Sequence, residues 1–317
     1  MIWDATAWAA AVLLAMFSAC CFAAAQARGA QSAESVRELR AAVSLAQHGD
    51  EQQALTRVDR LLEEHPDFIA ALKLQGALLE DLGPEAKAAA SYEKALRLAP
   101  NDPELLLKVG IYRLVSGKYE DAVGLLRRRV RGVPHDRDGL YYLAQAYHFN
   151  GQNDLAVKTI AECVKADPTN ASALQKYGEL LSSSGDNENA LQWLLKAQKS
   201  DATLPRLDFD LAVASYYNMD FPGTLKYAGS AVARRPNDAE ALALYAAAQT
   251  SLSQWREAEK TYARVLAMKP DDLTSLLGMG RCEVELKDYK AAVANLERVE
   301  RMDPTQILAH FYLSRAY

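Results

Sequence analysis

Apolar and polar positions along this chain alternate at helical spacing, and the alternation itself repeats. In the stretch from Pro103 to Asp136, Leu106, Val109 and Gly110 share one helical face up to Gly117. That spacing predicts a first helix, closed by a glycine free to adopt the left-handed conformation. Asp102 before Pro103 supplies an N-cap oxygen, then a proline at the first helical position, where its missing N–H costs nothing. A second helix is predicted from about Tyr119 to Val133, stopped by Pro134. The unit reads as helix, tight turn, helix, short turn.

The same arrangement returns every 34 residues, as at Pro66, Pro100, Pro134, Pro168, Pro236, Pro270 and Pro304. Ala202 occupies the vacant lattice point, with Pro205 three residues on. Gly49, Gly83, Gly117, Gly151 and Gly185 form a second lattice. A third runs through Ala54, Ala88, Ala122, Ala156, Ala190, Ala258 and Ala292, interrupted by Thr224. A fixed period of this length marks an array of one supersecondary unit in which each copy packs only on its neighbours. The predicted repeats are 35–68, 69–102, 103–136, 137–170, 171–204, 205–238, 239–272 and 273–306, with 307–317 as the first helix of a ninth or capping unit. Small residues on the first helices, such as Ala42, Gly76, Gly110 and Gly280, are expected to face the alanine lattice of the second helices and bring the two backbones close. Tyr92, Leu126, Ile160, Leu194, Tyr262 and Leu296 are expected to fill the space around that crossing.

Composition agrees with an all-α chain, since half of the 317 residues are hydrophobic and Ala and Leu dominate them. A net charge of −5 with mixed signs offers no basic field for nucleic acid. The run Arg127-Arg128-Arg129-Val130-Arg131 is too short to change that.

The N-terminus is different. No charge lies between Asp4 and Arg28, and Trp8 to Phe22 is strongly apolar. Residues 1–27 therefore read as a signal peptide or membrane anchor, followed by a linker over 28–34. Ala25-Gln26-Ala27 fits a cleavage site, whereas Phe17-Ser18-Ala19-Cys20 makes Cys20 a candidate for lipidation. Cleaved signal, retained anchor and lipoprotein all place the repeats outside the cytoplasm, periplasmic or membrane-anchored. Beyond the leader only Cys163 and Cys282 remain, four repeats apart and too distant to pair within one chain.

No catalytic constellation emerges. The chain lacks a G-x-x-x-x-G-K-[ST] phosphate loop, an H-E-x-x-H helix and a G-x-S-x-G elbow. None of His48, His65, His135, His148 and His310 forms a metal pair with an acid at helical spacing, so no metal, no cofactor and no enzymatic activity are expected.

The second repeat carries Leu72, Gly76, Leu79, Ala88, Tyr92, Ala95 and Pro100; the fourth carries Leu140, Leu143, Ala144, Tyr147, Ala156, Ile160 and Pro168. This pattern, eight times in register from Ser35 to Tyr317, resembles the tetratricopeptide repeat family, and the leader suggests a bacterial exported member. The resemblance implies a right-handed superhelical solenoid of antiparallel helix pairs whose concave groove binds a protein or peptide. In that family the groove is lined by positions 2, 5, 9 and 12 of each first helix. Carried over, these give Leu107, Ile111 and Leu114 in the third repeat, and Tyr141, Gln145 and His148 in the fourth. Phe209, Val213 and Tyr216 follow in the sixth, and Arg281 in the eighth. Family members that clamp chaperone carboxylates use Asn at position 9; no repeat here has it, so no such chaperone binding is expected.

Three departures stand out. Arg113 and Arg129 occupy packing positions of the third repeat, either as an anion site or with their heads turned to solvent or to Glu120 and Asp121. The junction Ser200 to Pro205 is either a bend between two halves or an ordinary degenerate repeat. The apolar segment Ile307–Tyr317 ends the chain without a polar cap. The expectation is a non-enzymatic scaffold binding a partner in its groove. The alternatives are the recognition arm of a larger enzyme continuing beyond Tyr317, or an envelope assembly lipoprotein.

Overall fold

The computed structural model describes residues 33–317 apart from Pro84 and Pro134, so the leader and Cys20 lie outside the described residues. Seventeen helices and no strand occur among them, and the chain divides into two compact units between Gly151 and Gln152. The fold is an all-α solenoid.

The first unit holds α1 (Ala33–Gln47), α2 (Glu51–Glu64), α3 (Ile69–Leu82), α4 (Glu85–Leu98), α5 (Pro103–Val115), α6 (Tyr119–Gly132) and α7 (Arg137–Phe149). Each helix packs on the next, and the first helices also touch sideways, α1 on α3 and α5 on α7. A continuous core runs from Leu39 through Val58, Leu72 and Tyr92 to Val109. The second unit holds α8 (Asn153–Ala166), α9 (Ala171–Ser183), α10 (Asn187–Ser200), α11 (Leu207–Tyr217), α12 (Phe221–Arg234), α13 (Ala239–Ser251), α14 (Trp255–Met268), α15 (Leu273–Glu285), α16 (Tyr289–Met302) and α17 (Ile307–Ala316). Here α9, α11, α13, α15 and α17 lie side by side, each touching the next.

Local chemistry sets the helix ends. Asp102 accepts from the Leu105 amide at 3.1 Å, as its place before Pro103 predicts. Asn170 accepts from Ala173 at 2.9 Å and Asp272 from Ser275 at 2.9 Å. All five lattice glycines have positive φ, from 74° at Gly117 to 99° at Gly83. The lattice continues without glycine: Met219, Ser253 and Lys287 take the same conformation at 56°, 57° and 67°.

The small residues of the first helices meet the large side chains of the second helices first, and at Gly178 the lattice alanine as well, the Ala190 carbonyl lying 3.0 Å from where a Cβ would stand. A Cβ on Gly76 would lie 2.6 Å from the Tyr92 ring, and one on Gly280 would lie 2.5 Å from Leu296. The glycine makes room for the large side chain of the second helix, and the lattice alanines, Ala88 and Ala292 among them, are fully buried beside it. Close approach is thus set by a large-into-small contact.

At the irregular junction, α10 packs on α11 within one unit, and the chain divides at Gly151 instead. Asp201 accepts from the Thr203 amide at 2.8 Å and its hydroxyl at 2.7 Å, which turns the chain without the lattice proline. Arg206 then takes φ 63°, and α11 is only 11 residues long. At the end of the second unit, α17 buries Ala309 and Leu313 on α15 and α16, and leaves Ile307 78% exposed.

Candidate functional site on the first helices

In the first unit, α5 presents Leu107 and Ile111 half-buried, and α7, packed beside it, presents Tyr141, Gln145 and His148 half-buried. Leu114 does not belong with them. It is 8% exposed and counts among the core residues. Tyr141 meets Tyr142 edge-on at 5.4 Å, and His148 lies 5.4 Å from the exposed Phe149. Burial, and then the charge of Asp138, push the Tyr142 phenol up.

Charges on these faces are consumed locally. Glu80 on α3 accepts from Lys108 at 2.7 Å, Tyr112 at 2.9 Å and Tyr92 at 3.1 Å. Burial, and then Glu80, push both phenols up strongly. Lys73 sits between Asp102 at 2.8 Å and Glu104 at 2.6 Å. Burial pulls its ammonium down, but the two carboxylates outweigh that and leave it raised. Sequence reasoning missed this cluster, although Lys73 and Glu80 occupy groove positions 5 and 12 of the second repeat.

The two unusual arginines do not form one site. Arg113 pairs with Glu93 at 2.8 Å, and Arg129 forms a two-pronged bond to Asp136 at 2.6 and 3.2 Å. Neither turns to Glu120 or Asp121.

In the second unit, Phe209, Val213 and Tyr216 lie half-buried on α11. Tyr216 meets Phe221 at 5.9 Å, and the Arg206 guanidinium lies 4.4 Å from the Phe209 ring while pairing with Glu240 at 3.0 Å. Arg281 stands apart on α15, beyond α13, 5.4 Å from the Trp255 ring. Asp210 accepts from Gln175 at 2.7 Å; burial pushes its carboxyl up to about 7 against that hydrogen bond. Glu283 is buried and held by Asn295 at 2.9 and 3.0 Å, and burial likewise pushes it up to about 7.

Among the described residues no group of three His, Cys, Asp or Glu is placed to hold a metal ion, and no helix is long and apolar enough to cross a membrane. Cys163 and Cys282 are both buried, and burial pushes the Cys282 thiol up to about 11.

Stacked helix pairs with half-buried apolar faces define the class as a helical-repeat interaction scaffold. Models of the tetratricopeptide repeat match residues 39–103 and 250–307, residues 137–180, and residues 171–203. The chain belongs to the tetratricopeptide repeat family, and is a scaffold for protein–protein interaction. It is 24% identical over 263 residues to Protein CTR9 homolog of Arabidopsis thaliana, covering 80% of this chain and 21% of that protein. It is 27% identical over 207 residues to cellulose synthase operon protein C of Pseudomonas fluorescens, covering 61% of this chain and 16% of that protein. The chain thus spans about a fifth or less of the length of both relatives. The crystal structure of the APC/C hetero-tetramer Cut9-Hcn1 superposes with a TM-score of 0.62 at 18% identity, over 88% of this chain and 55% of that one. At that identity the likeness is one of fold.

Proposed function

We propose that this scaffold binds extended or helical segments of a partner protein on its first-helix faces, on α5 and α7 within the first unit and, as a separate face, on α11 within the second. One observation carries the reading: Tyr141, Phe209 and Tyr216 are half-buried on these faces, while charges on the first helices are spent on each other, as at Glu80 and Lys108 in the first unit and at Arg206 and Glu240 in the second. A face whose charges are internally neutralised offers apolar and aromatic contact area rather than an ionic clamp. Position 9 lacks the asparagine of the chaperone clamp throughout, which favours apolar side chains over a terminal carboxylate. In this reading the apolar leader carries the repeats out of the cytoplasm, where the partner is met, and the chain performs no chemistry of its own.

Site-specific photo-crosslinking tests it. A benzophenone side chain at Ile111, Tyr141 or Phe209 should capture a protein partner, and one at Ser230 on α12 should not. The double variant Tyr141→Ala with Phe209→Ala should abolish capture from Ile111 while helicity and melting stay nearly unchanged. Capture from Ser230 alone overturns the reading, and a double variant that unfolds shows that these rings are core.

A further inference from the structure

At the lattice position filled by buried Ala95, Cys163 and Ala197 in neighbouring repeats, α6 carries Arg129. Its guanidinium is drawn to Asp136, and beside it a cleft of about 310 Å³ opens between the start of α5 and the last turn of α6. Pro103 and Leu106 form one wall; Arg128, Arg129 and Arg131 form the other. Arg128 reaches across to the Pro100 carbonyl at 2.5 Å and Asn101 Oδ1 at 3.1 Å. Arg127 and Arg131 are exposed and pair with no carboxylate among the described residues.

One repeat earlier, Lys94 and Arg97 stand at the positions of Arg128 and Arg131 and are likewise unpaired. Three acids of these repeats are taken elsewhere: Glu93 by Arg113, Asp102 by Lys73, and Asp136 by Arg129. A helix C-terminus attracts cations within its last turn. That accounts for Arg97 and Arg131, but not for Arg127, a turn earlier. On a chain of net charge −5, the C-terminal halves of α4 and α6 concentrate basic side chains, and the acids of these two helices outside that stretch, Glu85, Glu120 and Asp121, stand in their first turns.

We propose that the outer edge of α4 and α6 is a second docking surface, for an acidic peptide segment of a protein partner, one of whose carboxylates enters the cleft beside Arg128 and Arg131. Guanidinium groups bind carboxylate through paired hydrogen bonds, which suits the arginine-rich wall. The surface spans only two second helices, which is short for a nucleic-acid track. Neither α4 nor α6 exposes a large apolar side chain to enter a bilayer. The surface belongs to the second helices, so it operates independently of the first-helix faces.

Fluorescence anisotropy of a labelled Glu-rich peptide with the full chain tests this. Saturable binding is expected, weakening as salt rises from about 50 to about 200 mM. Arg127→Glu with Arg131→Glu should weaken it at least about tenfold with an unchanged circular dichroism spectrum; Tyr141→Ala with Phe209→Ala should leave it unaltered. The proposal is overturned if the peptide does not bind, if the charge-reversed chain binds equally well, or if only phosphatidylglycerol vesicles or an oligonucleotide bind this edge. If the charge-reversed chain loses its helicity, Lys94→Glu with Arg97→Glu replaces it under the same criteria.

Discussion

Arg298 on α16 donates through Nη2 to the main-chain carbonyl of Pro270, 28 residues earlier, at 2.7 Å. Arg264 does the same to Pro236 at 2.7 Å, and Arg128 to Pro100 at 2.5 Å. Each acceptor is a lattice proline just beyond the end of a second helix, where carbonyls no longer find partners within the helix. The arginine of one repeat thus ties down the exit of the repeat before it, and stacking is reinforced by a main-chain bond at its rim.

Replacing Arg264 with Met keeps the stem and removes the donor, and should cost about 1 kcal/mol, the worth of one exposed hydrogen bond from a charged group. Arg264→Lys should cost less, since an ammonium still reaches a single carbonyl. Urea denaturation followed by circular dichroism measures both, and equal losses for Lys and Met would remove the hydrogen bond from the explanation.

Met219, Ser253 and Lys287 hold the left-handed conformation that glycine holds at five earlier lattice points. For a side chain with a Cβ that conformation costs roughly 1–2 kcal/mol, partly offset by the greater freedom of glycine in the unfolded chain. Met219→Gly should therefore stabilise the second unit by up to about 1 kcal/mol. Gly83→Ala, at the equivalent point of the first unit, should destabilise by about 1 kcal/mol. Thermal melts of the two variants should shift in opposite directions.

The lattice made the helix pairs legible because proline at 100 or 270 restricts the backbone directly and glycine at 83 permits the left-handed turn, whatever the tertiary surroundings. Side-chain destinations were less legible. The acceptor of Arg298 is a carbonyl, which every residue has, so nothing in the sequence marks it. Arg129 finds Asp136 across the turn that runs through His135 at φ 56°, whereas Glu120 and Asp121 are the acids of its own helix. Leu114 and Ile111 share a helical face by spacing, yet one is core and the other rim. Helical periodicity locates a face, and the neighbouring helix decides where that face ends.

Glu283 and Asp210 make stability depend on pH in a defined direction. Burial raises both carboxyls to about 7, from ordinary values of 4.5 and 3.8. Between those limits the folded chain holds protons that the unfolded chain has released, so these two groups lower stability as pH rises toward 7, and the loss is complete above it. Glu283→Gln should raise the melting temperature at pH 8 and change it little at about pH 4.5, with a gain of up to about 3 kcal/mol for so buried a group. Adding Asp210→Asn should flatten the remaining slope. A melting curve of the variants that keeps the parent's dependence between pH 5 and 8 would refute the assignment.

Arg129 and Asp136 should behave as a unit. The Asp136 side chain is 4% exposed and that of Arg129 16%, so either one without the other is a buried, uncompensated charge. Arg129→Met alone should cost roughly 3 kcal/mol. In the double variant Arg129→Met with Asp136→Ser, no capping bond is lost, since the Asp136 side chain makes none to α7, and the charge is gone, so most of that loss should return. Gly139 supplies a second readout. A Cβ there would lie 2.1 Å from Asp136 Oδ2, so Gly139→Ala should destabilise the parent chain clearly and be tolerated once Asp136 is serine. A double-mutant cycle measures both couplings, and additive losses in either would mean that the carboxylate is not what holds this turn.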